Sequence, residues 1–455
     1  MTESYFFVGI GGSGMLPLAE IVAAGGARVA GSDRALDQGR LADKFDALRA
    51  QGIALHPQDG SGPRAGQTVV ASAAVEASVP DIARAEALGL PRSTRAELLA
   101  RLVNAAPLSI AVGGTSGKST VTGMTGWILD AVGQDPTIMN GALMRNYDAS
   151  ARVGGGRVFV SEVDERDGSI ALYRPTIAVL NNVALDHKSL DELRALFGDF
   201  VGVARRSAVG VDNAEAAALA GDALTFGLGE TAQVRAEDVA LRPDGVDFTV
   251  RHVNTHAPAR LAVPGVHNVA NALAAISAAM LAGIRLGDAA AALAGFRGLA
   301  RRLEVVGEAG GVTVVDDFGH NPDKIAATLA TLHAFAGRLL VMFQPHGYGP
   351  LKLMGDALAD TFASRLRDDD ILLMPDPVYH GGTTDRSVGS GEVISRIVAA
   401  GRQGEHIPSR DECGERLLAL ASPGDRIVVM GARDDTLSEF ARGLLARLPA
   451  RNPRT

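Results

Sequence analysis

The residues best equipped for chemistry lie in a glycine-rich run, AVGGTSGKSTVTG, at positions 111–123. In such a turn exposed backbone N–H groups can cradle phosphate oxygens, Lys118 supplies a fixed cation, and Ser119 or Thr120 offers a hydroxyl to magnesium. LSIAV before the turn and a helix-like stretch after it supply a strand–loop–helix setting. The usual P-loop spacing has a small residue where Val112 stands, so this is a variant phosphate loop. The same letters also fit an ordinary turn ahead of a helix N-cap. Lys118 is one of five lysines in a chain whose other cations are arginines, which speaks for a specific use.

Further candidates sit where strands are expected to end. Glu162 and Asp164 fall in VSEVDE, and Asp186 and His187 in NNVALDH. Magnesium takes oxygen ligands and keeps several waters, so one or two carboxylates beside nucleotide phosphates suffice; His187 is an atypical ligand and reads equally as a structural histidine. VGIGGSGM places Gly9, Gly11 and Gly14 in G-x-G-x-x-G spacing after an apolar run, with Asp33 about 20 residues on. That pattern specifies a diphosphate on a helix N-terminus, from a UDP-sugar as readily as from NAD, or merely a tight strand-to-helix turn. His267, Asn268 and Asn271 open an alanine-rich helix as caps or as base-reading amides. Arg302, Asp317 and His320 cluster at a later boundary, where an arginine and an aspartate could equally form a plain salt bridge.

To position these groups, 455 residues with 47% hydrophobic content allow about three domains. Apolar runs such as YFFVGI, ARVAGSD and QTVVASAA alternate with helix-like stretches such as GMLPLAEIVAAG and VPDIARAEALG, which predicts α/β architecture with mainly parallel sheets. RVFVSEVDE, PTIAVLNNVALDH, RLLVMFQPH, DDILLMPDPV and DRIVVMGARDD read as further strands, and VHNVANALAAISAAMLAG as a long helix. Boundaries are expected near 106 and 296. A net charge of −8 gives no broad reason to expect nucleic acid. Cys413, the single cysteine, excludes an intramolecular disulfide and suits a reducing, cytoplasmic setting. Despite a mean hydropathy of +0.13, apolar residues are interspersed with charges and no membrane insertion is expected.

Taken together, GTSGKST, EVDE, NNVALDH, GVHNVANALAA, RRLE, DDFGHNP and FQPH, in that order, resemble the Mur ligase superfamily over nearly the whole chain. The resemblance implies an ATP-dependent C–N ligase of peptidoglycan metabolism built from an N-terminal Rossmann-like domain for a UDP-sugar (1–106), a central P-loop ATPase-like α/β domain (107–296) and a C-terminal Rossmann-like domain for the amine (297–455). It further implies ATP contacts at Gly113, Gly114, Thr115, Ser116, Gly117, Lys118, Ser119, Thr120, Asn271, Arg302 and Asp317. Magnesium would be served by Ser119, Thr120, Glu162 and His187, with Lys118, Glu162 and His187 as the catalytic set. Gly9, Gly11, Gly12, Ser13, Gly14, Ser32, Asp33 and Ser72 would hold the UDP-sugar, and His320, His346 and Lys352 the amine substrate. GIGGSGM is similar to the branch acting on UDP-N-acetylmuramate, so the first glycine motif becomes a uridine-diphosphate loop. An acyl phosphate must be kept from water, which implies closure about a hinge near 296–302.

The amine partner implied is L-alanine, with the tripeptide L-Ala-γ-D-Glu-meso-diaminopimelate as the alternative. FQPHGYGPLKLMG carries Lys352 as its only cation where alanine-adding relatives are arginine-rich, Ser116 replaces a usual histidine, and GARDD departs from a glycine- and asparagine-rich motif. Two other classes are weighed: an NAD-linked oxidoreductase resting on the first glycine motif alone, and a non-catalytic binder descended from the family.

Overall fold

A computed structural model describes residues 2–72, 75–76, 78–165, 167–185, 188–378, 386–432, 434 and 436–449. Three sheets of five, ten and six strands organise them. The chain divides into two compact units, one of residues 1–240, 246–262 and 268–298 and the other of residues 241–245, 263–267 and 299–455. The principal division, between 298 and 299, falls inside the stretch expected to hinge.

In the first unit Ser4–Val8 is the central strand of an all-parallel five-stranded sheet, with Arg28–Ser32 and Ala54–His56 on one side and Thr68–Ala71 and Arg92–Thr94 on the other. A parallel sheet buries both faces, so its middle strand is apolar without alternation: Tyr5, Phe6, Phe7 and Val8 are all buried. Strand order reverses on either side of this strand, which opens a crevice at its C-terminal end, and the 9–14 glycine loop emerges there.

Leu108–Gly113 is interior to the ten-stranded sheet, paired in parallel with Ile177–Leu180 and Val158–Glu162. Helix Lys118–Ala131 follows the phosphate loop and buries Val121, Met124, Ile128 and Leu129, a stripe at helical spacing, on the side where it packs against strands Thr137–Met144, Val158–Glu162 and Leu108–Gly113. Fully burying each such side chain contributes about 1.5–3 kcal/mol. Helix Val266–Leu281 is enclosed on nearly all sides from Asn268 to Ala279, where its alanines permit close approach. Strands Val234–Arg242, Gly245–His252 and Thr255–Leu261 complete one edge of the sheet, the last two antiparallel. No sequence expectation covered this edge. Its signal was the period-two alternation of Val246, Phe248 and Val250, all buried.

The second unit holds a six-stranded sheet in the order Glu304–Ala309, Val312–Asp317, Arg426–Gly431, Leu339–Gln344, Ile371–Met374, Gln403–His406. Only the first pair is antiparallel. Leu339, Val341 and Phe343 face one core while Leu340 and Met342 face the other, as strand geometry requires. Asn321 caps helix Pro322–His333 by accepting from the Lys324 amide, so GHNP ends as a cap followed by a proline-initiated helix. Among the described residues no helix is long and apolar enough to cross a membrane.

Candidate functional site

The phosphate loop is held from below by two asparagines that follow strand Ile177–Leu180. Asn182 accepts from the Ser116 amide at 2.9 Å through its side chain and from the Thr115 amide through its backbone. Asn181 donates to the Ser116 carbonyl at 2.9 Å and to the Asn271 side chain at 3.0 Å, and Asn271 donates in turn to Asn268. Gly117 closes the loop at φ +84°, a left-handed conformation that favours glycine, and a Cβ there would lie 2.3 Å from Asn181 Nδ2 and 2.5 Å from Asn271 Oδ1. The loop thus reaches helix Lys118–Ala131 with its amides at a helix N-terminus, an arrangement that attracts anions.

Carboxylates stand beside it. Ser119 Oγ donates to Glu162 Oε2 at 2.8 Å, and Lys118 Nζ donates to Glu165 Oε2 at 2.7 Å and to the Gly114 carbonyl at 2.8 Å. A Cβ at Gly141 would meet the Glu162 carboxylate, so any side chain there would displace it. A hydroxyl and a carboxylate are hard oxygen donors, the kind magnesium takes when phosphates and waters supply the rest. Among the described residues no three His, Cys, Asp or Glu side chains group as a metal site. Asp186 and His187 lie outside the described residues.

One cavity of about 470 Å³ is lined by Gly9, Gly12, Ser13, Gly14 and Ser72 and also by Lys118, the one phosphate-loop residue to reach it, with Glu162 and Asp164. Arg95 and Tyr173, neither singled out from sequence, line it too; Arg95 packs where a Gly14 Cβ would lie 3.1 Å from its Cδ. Burial raises the Tyr173 hydroxyl above its ordinary pKa, against the opposing charge of Arg95, so it stays protonated. Asp33 does not line the cavity: Oδ2 accepts from the Gly11 amide at 2.8 Å and Oδ1 from the Ala35 amide at 2.7 Å, closing the loop and capping a short helix. Ser32 is fully buried and donates to Asp81.

In the second unit the junction residues form their own cluster. Asp317 is buried and accepts from the Leu303 and Gly319 amides and from Thr328 Oγ1. Arg301 and Arg302 both stack on the Phe318 ring, 5.2 and 4.9 Å from its centroid. Arg301, the alternative salt-bridge candidate's neighbour, is the buried one: it binds Asp316 and the Gly431 and Asp434 carbonyls. His320 packs edge-on against Phe318 and His346, which brings two of the three expected amine-site residues together. Burial, with the charges of Lys324, His346 and Arg302, lowers the His320 pKa to about 4 against an opposing bond to the Phe318 carbonyl, so the ring is neutral at pH 7. Lys352 is exposed in the early part of helix Tyr348–Arg365.

Three family models match in chain order: the Mur ligase family, catalytic domain over residues 4–106, the Mur ligase middle domain over 112–279, and the Mur ligase, glutamate ligase domain over 301–433. A UDP-N-acetylmuramate–L-alanine ligase of Cereibacter sphaeroides is 36% identical, covering 97% of this chain and 96% of that protein. Its counterpart in Rhizobium meliloti is 37% identical over 94% of this chain and 93% of its own length. Of solved structures, the UDP-N-acetylmuramate-alanine ligase of Thermotoga maritima superposes with a TM-score of 0.79 at 24% identity, covering 98% of this chain and 99% of that one. The murein peptide ligase of Psychrobacter arcticus gives 0.67 at 24% identity with 98% of each covered. Both share the fold.

Proposed function

Because the chain belongs to the Mur ligase family, we propose that it is an ATP-dependent C–N ligase of peptidoglycan synthesis joining L-alanine to the carboxylate of UDP-N-acetylmuramate. The observation that carries this reading is the shared cavity, which is lined by a glycine loop suited to a diphosphate together with Lys118 of the phosphate loop and Glu162. A sugar nucleotide on one wall would then bring its carboxylate to the γ-phosphate on the other. The near full-length similarity to L-alanine ligases supports the choice of amine. We take the compartment to be the cytoplasm.

A carboxylate resists attack by an amine because oxide leaves badly. In the proposed reaction a carboxylate oxygen attacks the γ-phosphorus, the bond to the bridging oxygen of ADP breaks, and an acyl phosphate forms. The amine nitrogen then attacks the carbonyl carbon, the tetrahedral intermediate expels phosphate, and the nitrogen loses a proton to give the amide. Lys118 and the amides of residues 113–120 would bind the β- and γ-phosphates and spread charge during transfer. Ser119, Thr120, Glu162 and His187 would hold magnesium, which when bound neutralises the phosphoryl oxygens. Asn271, Arg302 and Asp317 would contact the rest of ATP. Gly9, Gly11, Gly12, Ser13, Gly14 and Ser72 would hold the UDP-sugar, with Ser32 and Asp33 shaping that loop from behind. His320, His346 and Lys352 would receive the amine. The domains assigned to these tasks are 1–106, 107–296 and 297–455.

A tripeptide amine is the second reading, favoured by the absence of arginine between Phe343 and Lys352. The test incubates protein, ATP, magnesium and UDP-N-acetylmuramate with L-alanine, glycine, L-serine or the tripeptide, and follows ADP release and product mass. A gain of one alanine residue supports the proposal. A gain only with tripeptide transfers the assignment to the recycling reaction, and no gain with any amine overturns both.

A further inference from the structure

The mechanism above makes no use of Glu165, yet its side chain is only 3% exposed and lies 2.7 Å from Lys118 Nζ. Glu165 closes the EVDE motif whose first residue is Glu162, but the motif assigns it no role. Strand Val158–Glu162 ends before Glu165, and the chain turns at once: the Glu165 carbonyl accepts from the Gly168 amide, ahead of a short 3-10 helix over Ser169–Leu172. The carboxylate is buried in the connection that follows the strand, and Lys118 compensates its charge there.

We propose that Glu165 is a positioning residue that holds the Lys118 ammonium in place for the nucleotide phosphates, an inference that rests on the phosphate-loop reading. An ammonium has three donors. Glu165 and the Gly114 carbonyl engage two from different directions, so the flexible four-carbon stem of Lys118 is tethered at its tip as well as at its root in the helix's first residue. Lysine binds phosphate as a point charge, with no planar fork to set its direction, so its placement must come from its neighbours. Separating the pair would leave a carboxylate buried and uncompensated, which is strongly disfavoured, so the ammonium meets phosphate while still bound to Glu165.

The experiment is a double-mutant cycle with Lys118→Met, Glu165→Gln and both together, read by calorimetric ADP binding with magnesium and by thermal melting. Acting through Lys118, Glu165→Gln lowers ADP affinity about tenfold, as expected for one charge-assisted contact. Lys118→Met lowers it further and also depresses the melting temperature by about 5 °C, because it strands the carboxylate. The double variant then binds ADP no worse than Lys118→Met alone and regains the lost melting temperature. Glu165→Asp recovers part of the affinity that Glu165→Gln loses. Additive losses in affinity, or a double variant that melts below Lys118→Met, overturn the inference while leaving the phosphate-loop reading intact. A wild-type protein that does not bind ADP overturns that reading and the inference with it.

Discussion

The Asp33 carboxylate accepts the Gly11 amide 22 positions earlier in the chain at 2.8 Å, while its other oxygen caps the helix that begins at Arg34. An acid at the end of the second strand thus shapes the glycine loop from behind. Asp33→Ala removes a helix cap and leaves the Gly11 N–H without its acceptor, a combined loss of about 2–3 kcal/mol in urea unfolding. In the ligase assay its KM for UDP-N-acetylmuramate should rise several-fold more than its KM for ATP. Equal changes in the two would separate Asp33 from the sugar-nucleotide loop.

Gly117 has a stricter requirement. Its left-handed backbone costs a non-glycine residue about 1–2 kcal/mol, and any Cβ meets both Asn181 and Asn271. Gly117→Ala should displace the loop that presents the phosphate-binding amides and reduce turnover about 100-fold, since misplacement of this order is costly in catalysis. Circular dichroism should show an unchanged fold. A variant that turns over ATP normally would mean that the Asn181–Asn271 bridge is dispensable.

The parallel strands and the helices after them were legible because buried β-branched runs bounded by glycine have few other uses: LSIAV became Leu108–Gly113 and the run after it became Lys118–Ala131. The edge from Val234 to Leu261 was not, since its strands carry few apolar residues and a solvent-facing half such as Asp247 and Arg251 that reads as loop unless the period of two is followed. At the site, motif spacing pointed to Lys118 and Glu162, but it carried no sign that Glu165 pairs with the lysine or that Asn181 and Asn182 brace the loop. Those partnerships join positions 47 to 66 residues apart, and only the folded sheet brings them within bonding distance. Ser32, which the resemblance placed among the sugar-nucleotide residues, is fully buried with its hydroxyl donating to Asp81, a partnership 49 residues apart that no motif announces.

His320 makes stability depend on pH in a defined direction. Its folded pKa is lowered, chiefly by burial, to about 4, while an unfolded histidine titrates near 6.5. The unfolded chain therefore binds the proton more tightly, so this contribution is complete above pH ~6.5 and is lost as pH falls toward 4. Between pH 7.5 and pH 5 the wild type should lose on the order of 2 kcal/mol more unfolding free energy than His320→Gln. Parallel pH curves for the two proteins would show that the ring is solvated in the native state.

Lys352 offers a test of amine recognition. It lies at the start of the second turn of helix Tyr348–Arg365, whose first turn carries no acid, so the lysine and the helix N-terminus both favour an incoming carboxylate. A point charge and a dipole together can meet the carboxylate of an amino acid without the planar fork of arginine, though with less directional grip. Lys352→Ala should raise the KM for L-alanine roughly five- to tenfold, a loss of about 1–1.4 kcal/mol, and leave the KM for ATP within about twofold. Lys352→Arg should retain most of the affinity. If Lys352→Ala instead impairs the tripeptide and spares L-alanine, the exposed lysine serves a carboxylate farther from the reacting nitrogen, and the substrate is the longer amine.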